Sequence, residues 1–207
     1  MCSSNPSCLC AKVKSAIIMI LNPARQNGYI NIYESMSIHV TIYNDMKCEI
    51  CTFEDVLPIW DKDLWPNRVS KIESRSSLFW HSSLWEGFGN VSITKKQKEI
   101  WKYEPTFFCI RDNDKIIGVN SGFRTEDKVY RSRGLYVDNL YRCQGLSQKL
   151  LEATIQQGKR EGCSWIWSLP RQTALPAYNK LGFYKVGNWI DEGVEFGPNC
   201  LAIHKLL

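Results

Sequence analysis

The sequence has no apolar run long enough to cross a membrane. The longest one near its start, Ala16–Leu21, has six residues, whereas a bilayer-spanning helix needs about 20. Lys12 and Lys14 precede it, as in a secretory signal, but the apolar segment is short and Asn22–Arg25 is a poor cleavage region. These features do not favour membrane or secreted classes, and we expect a cytoplasmic protein.

Histidine is scarce, and the cysteines have no regular spacing. Only three histidines are present, so the lone CxxC pair, Cys48 and Cys51, has no second ligand pair at the spacing of a zinc site. We interpret both thiols as buried strand residues and predict no metal. The nine cysteines are odd in number and widely scattered, which argues against a disulfide framework and favours a reducing cytosol.

The sequence also lacks a long run of charge of one sign. The net charge of +5 is too small to indicate nucleic acid by itself, and the densest basic run, residues 95–98, is short. A mild positive charge is compatible with an anionic ligand, including one that carries phosphates. With 44% hydrophobic and 12% aromatic residues, the chain is globular and has enough apolar side chains to form a core.

Residues 1–45 differ from the remainder because they show no clear period and contain breaks at 22–28. We predict that they are an N-terminal extension without a functional role, of the kind that an upstream start codon adds, and that 46–207 form one domain. Thr52 and Asp55 resemble a capping box, which predicts a helix over 54–65 after a strand at 47–51. Further helices are expected within 68–87 and 90–101.

The second half predicts strands and helices in a mixed order. Leu146, Leu151 and Ile155 fall on one side of a predicted helix, and Gly162 follows as its stop. Thr173 is expected to cap a short helix that ends at residue 181. The predicted strands are 106–111, 115–123, 128–137, 163–167, 183–186 and 200–204, and the long helix is 145–160. This order predicts an α+β fold with helices on the faces of a sheet.

The segment with the clearest chemistry joins a predicted strand to a predicted helix through Arg142 and Gly145. The first turn of a helix has free N–H groups and the positive end of the helix dipole, so it can bind phosphate oxygens. Glycine lets such a ligand approach the backbone closely. The segment is neither a Walker A loop nor a dinucleotide fingerprint. Taken alone, a phosphate loop and an ordinary strand-to-helix turn are both compatible with it.

Two motifs resemble the GNAT-type acyl-CoA N-acyltransferase superfamily. Arg142–Ser147 resembles its R/Q-x-x-G-x-G/A pyrophosphate loop, and Ala174–Phe183 resembles its A-x-x-x-Y-x-K-x-G-F segment. The resemblance covers roughly 46–207. It implies a mixed, mostly antiparallel sheet of six to seven strands, flanked by helices and splayed between the fourth and fifth strands. The sequence departs from the family at Ser147, where Gly or Ala is usual, and at 171–172, where an Asn is common.

The resemblance also implies the reaction and its residues. Acetyl-CoA would be the acyl donor, and a primary amine of a small molecule or peptide would attack it directly in a ternary complex. Tyr178 would protonate the departing thiolate, since a phenol is still a proton donor at neutral pH. Backbone groups of the strand would contact the pantetheine arm, and the loop would bind the diphosphate: Leu135, Tyr136, Val137, Arg142, Cys143, Gln144, Gly145, Leu146 and Ser147. Cys143 is interpreted as a space-filling side chain rather than as a nucleophile.

Several points stay open. Asp138 is the first candidate for the base, but it could be only a loop cap, and Glu126, Asp127 and Tyr136 acting through a water are alternatives. An acyl-CoA-binding regulatory module without turnover, or a nucleic-acid-modifying protein of the same fold, would have the same motifs. A homodimer is compatible with the sequence. Trp80, His81 and Trp85 are expected near the acceptor or in the core.

Overall fold

The computed structural model describes residues 46–80, 94–95, 102–191 and 196–207, which belong to the unit Asn44–Leu207. The predicted extension 1–45, His81, Trp85 and most of 90–101 lie outside the described residues, so the boundary at residue 45 stays a prediction. None of the described helices has the length and apolarity that a membrane crossing requires.

Nine strands and three α-helices make up the described fold. The strands are β1 (Cys48–Cys51), β2 (Leu78–Phe79), β3 (Thr94–Lys95), β4 (Thr106–Asp112), β5 (Lys115–Glu126), β6 (Val129–Val137), β7 (Trp165–Ser168), β8 (Tyr184–Ile190) and β9 (Asn199–Lys205). The helices are α1 (Phe53–Ile59), α2 (Leu146–Arg160) and α3 (Leu175–Asn179). A π-helical turn, Trp60–Leu64, continues α1, and a 3₁₀ turn, Asn139–Tyr141, follows β6.

Seven strands form one sheet in the order β1-β4-β5-β6-β7-β9-β8, and β2 and β3 form a separate small ladder. Every neighbouring pair in the large sheet is antiparallel except β6 and β7, which are parallel. Helix α2 makes the crossover that a parallel pair needs. Counted along the large sheet, β6 and β7 are the fourth and fifth strands, and the predicted fold class is confirmed.

The first helix begins as the sequence predicts. The Thr52 hydroxyl accepts a hydrogen bond from the Asp55 amide at 3.2 Å, and the Asp55 carboxylate accepts one from the Thr52 amide at 2.9 Å, which is a complete capping box. The α-helix ends at Ile59 rather than at 65, because the π-helical turn follows. Pro58 lies inside the helix and has no amide to donate to its ladder.

The helix predicted within 68–87 is wrong over its described part. Residues 68–77 contain no helix, and β2 follows them. Ser70, Ser74, Ser76 and Ser77 explain the difference, because serine hydroxyls compete with the helix for backbone hydrogen bonds. Ser76 does so here, accepting from the Leu78 amide at 3.2 Å. The helix predicted within 90–101 is wrong at 94–95, which form β3.

The second half follows the predictions closely. Helix α2 buries Leu146, Leu151 and Ile155 on one side, and Gly162, with φ of +72°, lies just past its end as expected. The strands differ from their predicted bounds by a few residues, with β5 and β8 longer. Helix α3 begins one residue later than predicted, so Ala174 rather than Thr173 is its N-cap.

The two faces of the sheet have separate cores. Along β4, Phe107 and Cys109 pack with Val56 and Trp60 on the α1 face, whereas Phe108 packs against α2 on the other. Successive residues of a strand alternate between faces. The same alternation separates the CxxC thiols: half-buried Cys48 packs on the α2 face and half-buried Cys51 on the α1 face. The pair is therefore on a strand, as predicted, but only partly buried, and the two thiolates cannot share one zinc ion.

A bulge interrupts β6 at Gly134. Four residues of β6, from Arg133 to Tyr136, oppose three of β5, from Val119 to Ser121, and Gly134 has a φ of +78°. The Trp60 indole donates a hydrogen bond to the Gly134 carbonyl at 2.9 Å. A Cβ at this position would lie 2.3 Å from the Trp60 ring, so the bulge requires glycine on both conformational and steric grounds.

We therefore expect Gly134→Ala to destabilise the fold more than Gly187→Ala. Gly187 also has a positive φ, +63°, but has no atom within 4 Å of an added Cβ. The control should lose about 1–2 kcal/mol for the left-handed backbone, and Gly134→Ala should lose a further 1–3 kcal/mol, roughly, for overpacking. Chemical denaturation of both variants measures the difference, and equal losses would contradict the steric argument.

Candidate active site

The predicted phosphate loop runs from the end of β6 to the start of α2. Two of its residues have left-handed backbones, Cys143 with φ of +63° and Gly145 with φ of +81°. Gly145 is the N-cap of α2 and supplies no side-chain hydrogen bond. The first backbone bond within the helix is donated by Lys149 to the Gly145 carbonyl, at 3.2 Å. The N–H groups of the first turn therefore remain available for an anion.

The space around the loop is also open enough for a phosphate ligand. An added Cβ at Gly145 would meet nothing nearer than the Gln148 side chain, at 3.8 Å, so a ligand can approach the backbone closely there. The Arg142 side chain donates through Nε to the Val137 carbonyl at 3.0 Å, which fixes its charge beside the loop. Cys143 is exposed, so the interpretation of its side chain as a space-filler is wrong, whereas its left-handed backbone shapes the loop.

Asp138 stabilises the same loop through a hydrogen bond and an ion pair. Its carboxylate accepts a hydrogen bond from the Leu140 amide at 3.0 Å and forms an ion pair with Lys115 at 2.7 Å. The Lys115 ammonium, together with the Leu140 amide, holds the pKa of Asp138 below its ordinary value. These contacts are those of the loop cap that the sequence left open as an alternative.

Strands β6 and β7 separate after three pairs of residues. The parallel ladder joins Val129 to Trp165, Tyr130 to Ile166 and Arg131 to Trp167. Beyond Arg131, no residue of β6 pairs with β7. The β6 edge that the sequence assigns to the pantetheine arm, Leu135 to Val137, lies in this unpaired part.

A hydroxyl chain crosses the gap where the strands part. The Ser168 hydroxyl, at the end of β7, lies 2.9 Å from the Ser132 carbonyl of β6 and 3.1 Å from the Tyr178 hydroxyl. The Ser168 hydroxyl has a single proton, which it can donate in a hydrogen bond to the Ser132 carbonyl. The Tyr178 phenol can then donate its own hydrogen bond to the Ser168 oxygen. Tyr178, on α3, is thus held at the gap between the two strands.

Tyr178 remains a proton donor across the physiological range. Burial raises the pKa of the phenol, while the Ser168 hydrogen bond and the Arg131 charge act in the opposite direction. The side chain is 2% exposed and packs edge-on against Phe183, with ring centroids 5.2 Å apart. Its hydroxyl is therefore both protonated and fixed in position.

A cavity of about 510 Å³ reaches Tyr178. Its walls are the turn after α1, the segment 68–78, β6 from Arg131 to Leu135, and the chain from Ser168 to Arg171. Glu73 is the one carboxylate residue that lines the cavity in the described part of the chain. Asp138, Glu126 and Asp127 are not among the lining residues.

The other candidate residues make contacts that stabilise the fold. Asp127 accepts a hydrogen bond from the Tyr103 hydroxyl and lies 3.8 Å from Lys102, and Tyr136 packs into the core on the α1 face. Trp80 is buried, 1% exposed, in agreement with the expectation that it packs in the core.

Sequence reasoning missed Ser132, Ser168 and Glu73, and it missed two arginines that line the cavity, Arg131 and Arg133. A signal for the arginines exists, because they alternate with Tyr130 and Ser132 along β6 and so share one face. The two serines carry no such signal, since their proximity depends on the register of the parallel pair.

The chain matches known proteins over its central part. The sequence model of the Acetyltransferase (GNAT) family matches residues 77–183, more than half of the 207 residues. No curated protein matches the chain.

Many solved structures are similar. An acetyltransferase of the GNAT family from Staphylococcus aureus is 18% identical, with a TM-score of 0.43 over 50% of this chain and 68% of that one. An acetyltransferase from Streptococcus agalactiae is 17% identical, with a TM-score of 0.43 over 53% and 72%. A GNAT family acetyltransferase from Elizabethkingia anophelis, with acetyl-CoA bound, is 18% identical, with a TM-score of 0.42 over 49% and 76%.

The family match extends from β2 to Phe183 and includes both the phosphate loop and Tyr178. The architecture of the described sheet, with one parallel pair that parts beside that tyrosine, agrees with it. The chain therefore belongs to the Acetyltransferase (GNAT) family, whose members are acyl-transfer enzymes.

Proposed function

We propose that this protein is an N-acetyltransferase that moves the acetyl group of acetyl-CoA to a primary amine, by direct attack in a ternary complex. The observation that carries the proposal is the place of the Tyr178 hydroxyl. It lies in the wall of the cavity, at the point where β6 and β7 part. A cytoplasmic location is part of the proposal, since the nine irregularly spaced cysteines favour a reducing compartment.

The donor would lie between the loop and the gap. In this proposal the first-turn amides of α2, with the backbone of Arg142 to Gly145, bind the diphosphate. The open approach to Gly145 supports this assignment. The pantetheine arm would then run along the unpaired edge of β6, from Val137 towards Leu135. A backbone amide of that edge would stabilise negative charge on the thioester oxygen, as a preorganised donor does.

The proton balance of the proposed reaction involves Tyr178. The amine nitrogen attacks the thioester carbon, the carbon–sulfur bond breaks, and the phenol gives its proton to the departing sulfur. The products are the N-acetylated amine and CoA thiol. The acylated nitrogen loses one proton to solvent, and the phenolate regains one from solvent once the thiol has left, while the Ser168 hydroxyl stays within hydrogen-bond distance of it. The charge of Arg131 favours the phenolate that forms for a moment.

The base in this proposal is Glu73 rather than Asp138. Asp138 is occupied by Lys115 and the Leu140 amide, and its lowered pKa makes it a weak base. Glu73 lines the cavity and is 42% exposed, in an ion pair with Lys71. It can accept the proton of an ammonium group directly or through one water.

Tyr178→Phe should lower kcat by about 100-fold or more, the scale of a general acid, while the Kd for acetyl-CoA stays the same. The phenyl ring keeps the packing against Phe183, so folding should be preserved. Tyr184→Phe, which removes an exposed hydroxyl elsewhere, is the matched control. Thiol release with a mixed amine panel and calorimetry measure the two effects.

Because burial raises the pKa of Tyr178, its ionisation should not lower the wild-type rate until the pH lies above the range in which an exposed tyrosine titrates. Unchanged turnover in Tyr178→Phe, or a loss equal to that in Tyr184→Phe, would contradict the assigned role.

Gly145→Asp should bind acetyl-CoA at least tenfold more weakly than Gly145→Asn. Both residues tolerate a positive φ and cap helices well, so the two variants differ mainly in one negative charge beside the diphosphate. Thermal unfolding should show both to be folded. Calorimetry gives the affinities, and equal values would exclude this loop as the diphosphate site.

Glu73→Gln should lower kcat/KM most at low pH, where the amine carries a proton that must be removed. The expected loss is about 100-fold, and it should shrink as the pH approaches the pKa of the amine. Glu49→Gln, on β1 and outside the cavity, is the control. A pH profile that shifts uniformly, without this convergence, would contradict the role of Glu73 as the base.

A further inference from the structure

Two arginines of β6 are buried in the wall of the cavity. Arg131 is 5% exposed and Arg133 is 6% exposed. Both face away from α2, because Tyr130 and Ser132, which alternate with them, pack towards that helix. Burial lowers the pKa of both guanidinium groups, but arginine remains charged at neutral pH. The cavity therefore has two desolvated positive charges beside Tyr178.

Their protein contacts leave most of their hydrogen-bonding capacity unused. Arg131 donates to the Leu78 carbonyl at 3.0 Å and stacks on Trp167, with its guanidinium carbon 4.5 Å from the ring centroid. Arg133 donates to the Glu73 carbonyl at 2.7 Å and stacks on Trp60 at 4.8 Å. A guanidinium has five N–H donors. The Nε of Arg131 is buried without a partner.

The charges around the cavity are not balanced within the described part of the chain. Its lining has one acidic residue, Glu73, and six basic ones: Arg68, Lys71, Arg75, Arg131, Arg133 and Arg171. Glu73 pairs with Lys71 at 3.0 Å, and Glu104 pairs with Arg75 at 2.5 Å. No described carboxylate pairs with Arg131, Arg133 or Arg171. Buried charges are costly unless they are paired, so this cavity favours an anion.

The anion that fits belongs to the acceptor. Residues Arg142–Ser147, which bind the donor's diphosphate in the proposed function, do not line the cavity. The cavity instead joins Tyr178 to the arginines and to Glu73. An acceptor there would have its amine near the two reactive side chains and a second group near Arg131 and Arg133.

We infer that the acceptor is a primary amine with an anionic group, a carboxylate or a phosphate, which Arg131 and Arg133 bind in the cavity beside Tyr178. Both anions have the planar or forked oxygens that a guanidinium binds with two hydrogen bonds. Arg171 also lines the cavity, where it donates to the Leu64 carbonyl at 2.8 Å, and its charge adds to the attraction. This inference rests on the proposed function of the same site.

The test compares amines that differ only in the anionic group. β-Alanine is paired with β-alaninamide for the carboxylate, and phosphoethanolamine with ethanolamine for the phosphate. Thiol release from acetyl-CoA is measured at constant ionic strength and pH. We expect kcat/KM to be at least tenfold higher for the anionic member of one pair, and the pair that shows the difference identifies the anion.

Two variants and a control locate the effect. Arg171→Gln should lower the preference for the anionic amine by tenfold or more, because it removes a charge from the cavity. Arg131→Lys keeps the charge but loses the planar fork of the guanidinium, and should also lower the preference for the anionic amine. Arg160→Gln removes the same charge from the exposed end of α2, outside the cavity, and should leave the preference unchanged. Thermal unfolding checks that each variant is folded.

The failures of the two proposals are distinguishable. Equal or faster transfer to the neutral amines, or transfer to neither class while acetyl-CoA still binds, would overturn the inference about the acceptor. Equal loss of preference in Arg160→Gln and Arg171→Gln would do so too. Failure of the wild-type protein to bind acetyl-CoA would instead overturn the proposed function.

Discussion

The point at which β6 parts from β7 determines the rest of the site. The ladder between them ends at Arg131 and Trp167, and the bulge at Gly134, anchored by the Trp60 indole, follows directly. From there the edge of β6 has no neighbour in β7, so its backbone groups can serve a ligand. The Ser168 hydroxyl crosses the gap, within hydrogen-bond distance of the Ser132 carbonyl and of the Tyr178 hydroxyl. The proposed donor site, the proposed acceptor site and Tyr178 all lie around this opening.

The two sides of the opening have different electrostatic characters. At the α2 end, positive potential comes from backbone amides and the helix dipole, which suit a diphosphate. On the α1 face it comes from buried guanidinium groups that stack on indoles, with Arg133 between Trp60 and Trp65 at 4.8 and 4.9 Å. Aromatic faces offset part of the desolvation of these cations, which explains how the fold tolerates them before a ligand arrives. In the proposal, the donor and the acceptor therefore bind to separate sets of groups.

The loop and Tyr178 could be predicted because their signals are contiguous in sequence. A capping pattern, an amphipathic helix and two short motifs each lie within about a dozen residues. Ser132 and Ser168 could not be predicted, since they meet through the register of a parallel pair 36 residues apart. The alternation along β6 predicts that Arg131 and Arg133 share one face of the sheet, but it does not predict that the cavity lies on that face. The segment 68–77 was wrongly predicted as helix because its side chains bond to backbone groups outside any helical ladder: Arg68 donates to the Ser70 carbonyl, Arg75 donates to the Tyr103 carbonyl, and Ser76 accepts from the Leu78 amide.

A crystal structure of the complex with acetyl-CoA tests the central claim most directly. The account predicts diphosphate oxygens within hydrogen-bond distance of the Leu146 and Ser147 amides, pantetheine along β6 beyond Arg131, and the sulfur within reach of the Tyr178 hydroxyl. A cofactor that binds elsewhere, or a gap closed by continued pairing of β6 and β7 with the Tyr178 hydroxyl turned away from the sulfur, would contradict it.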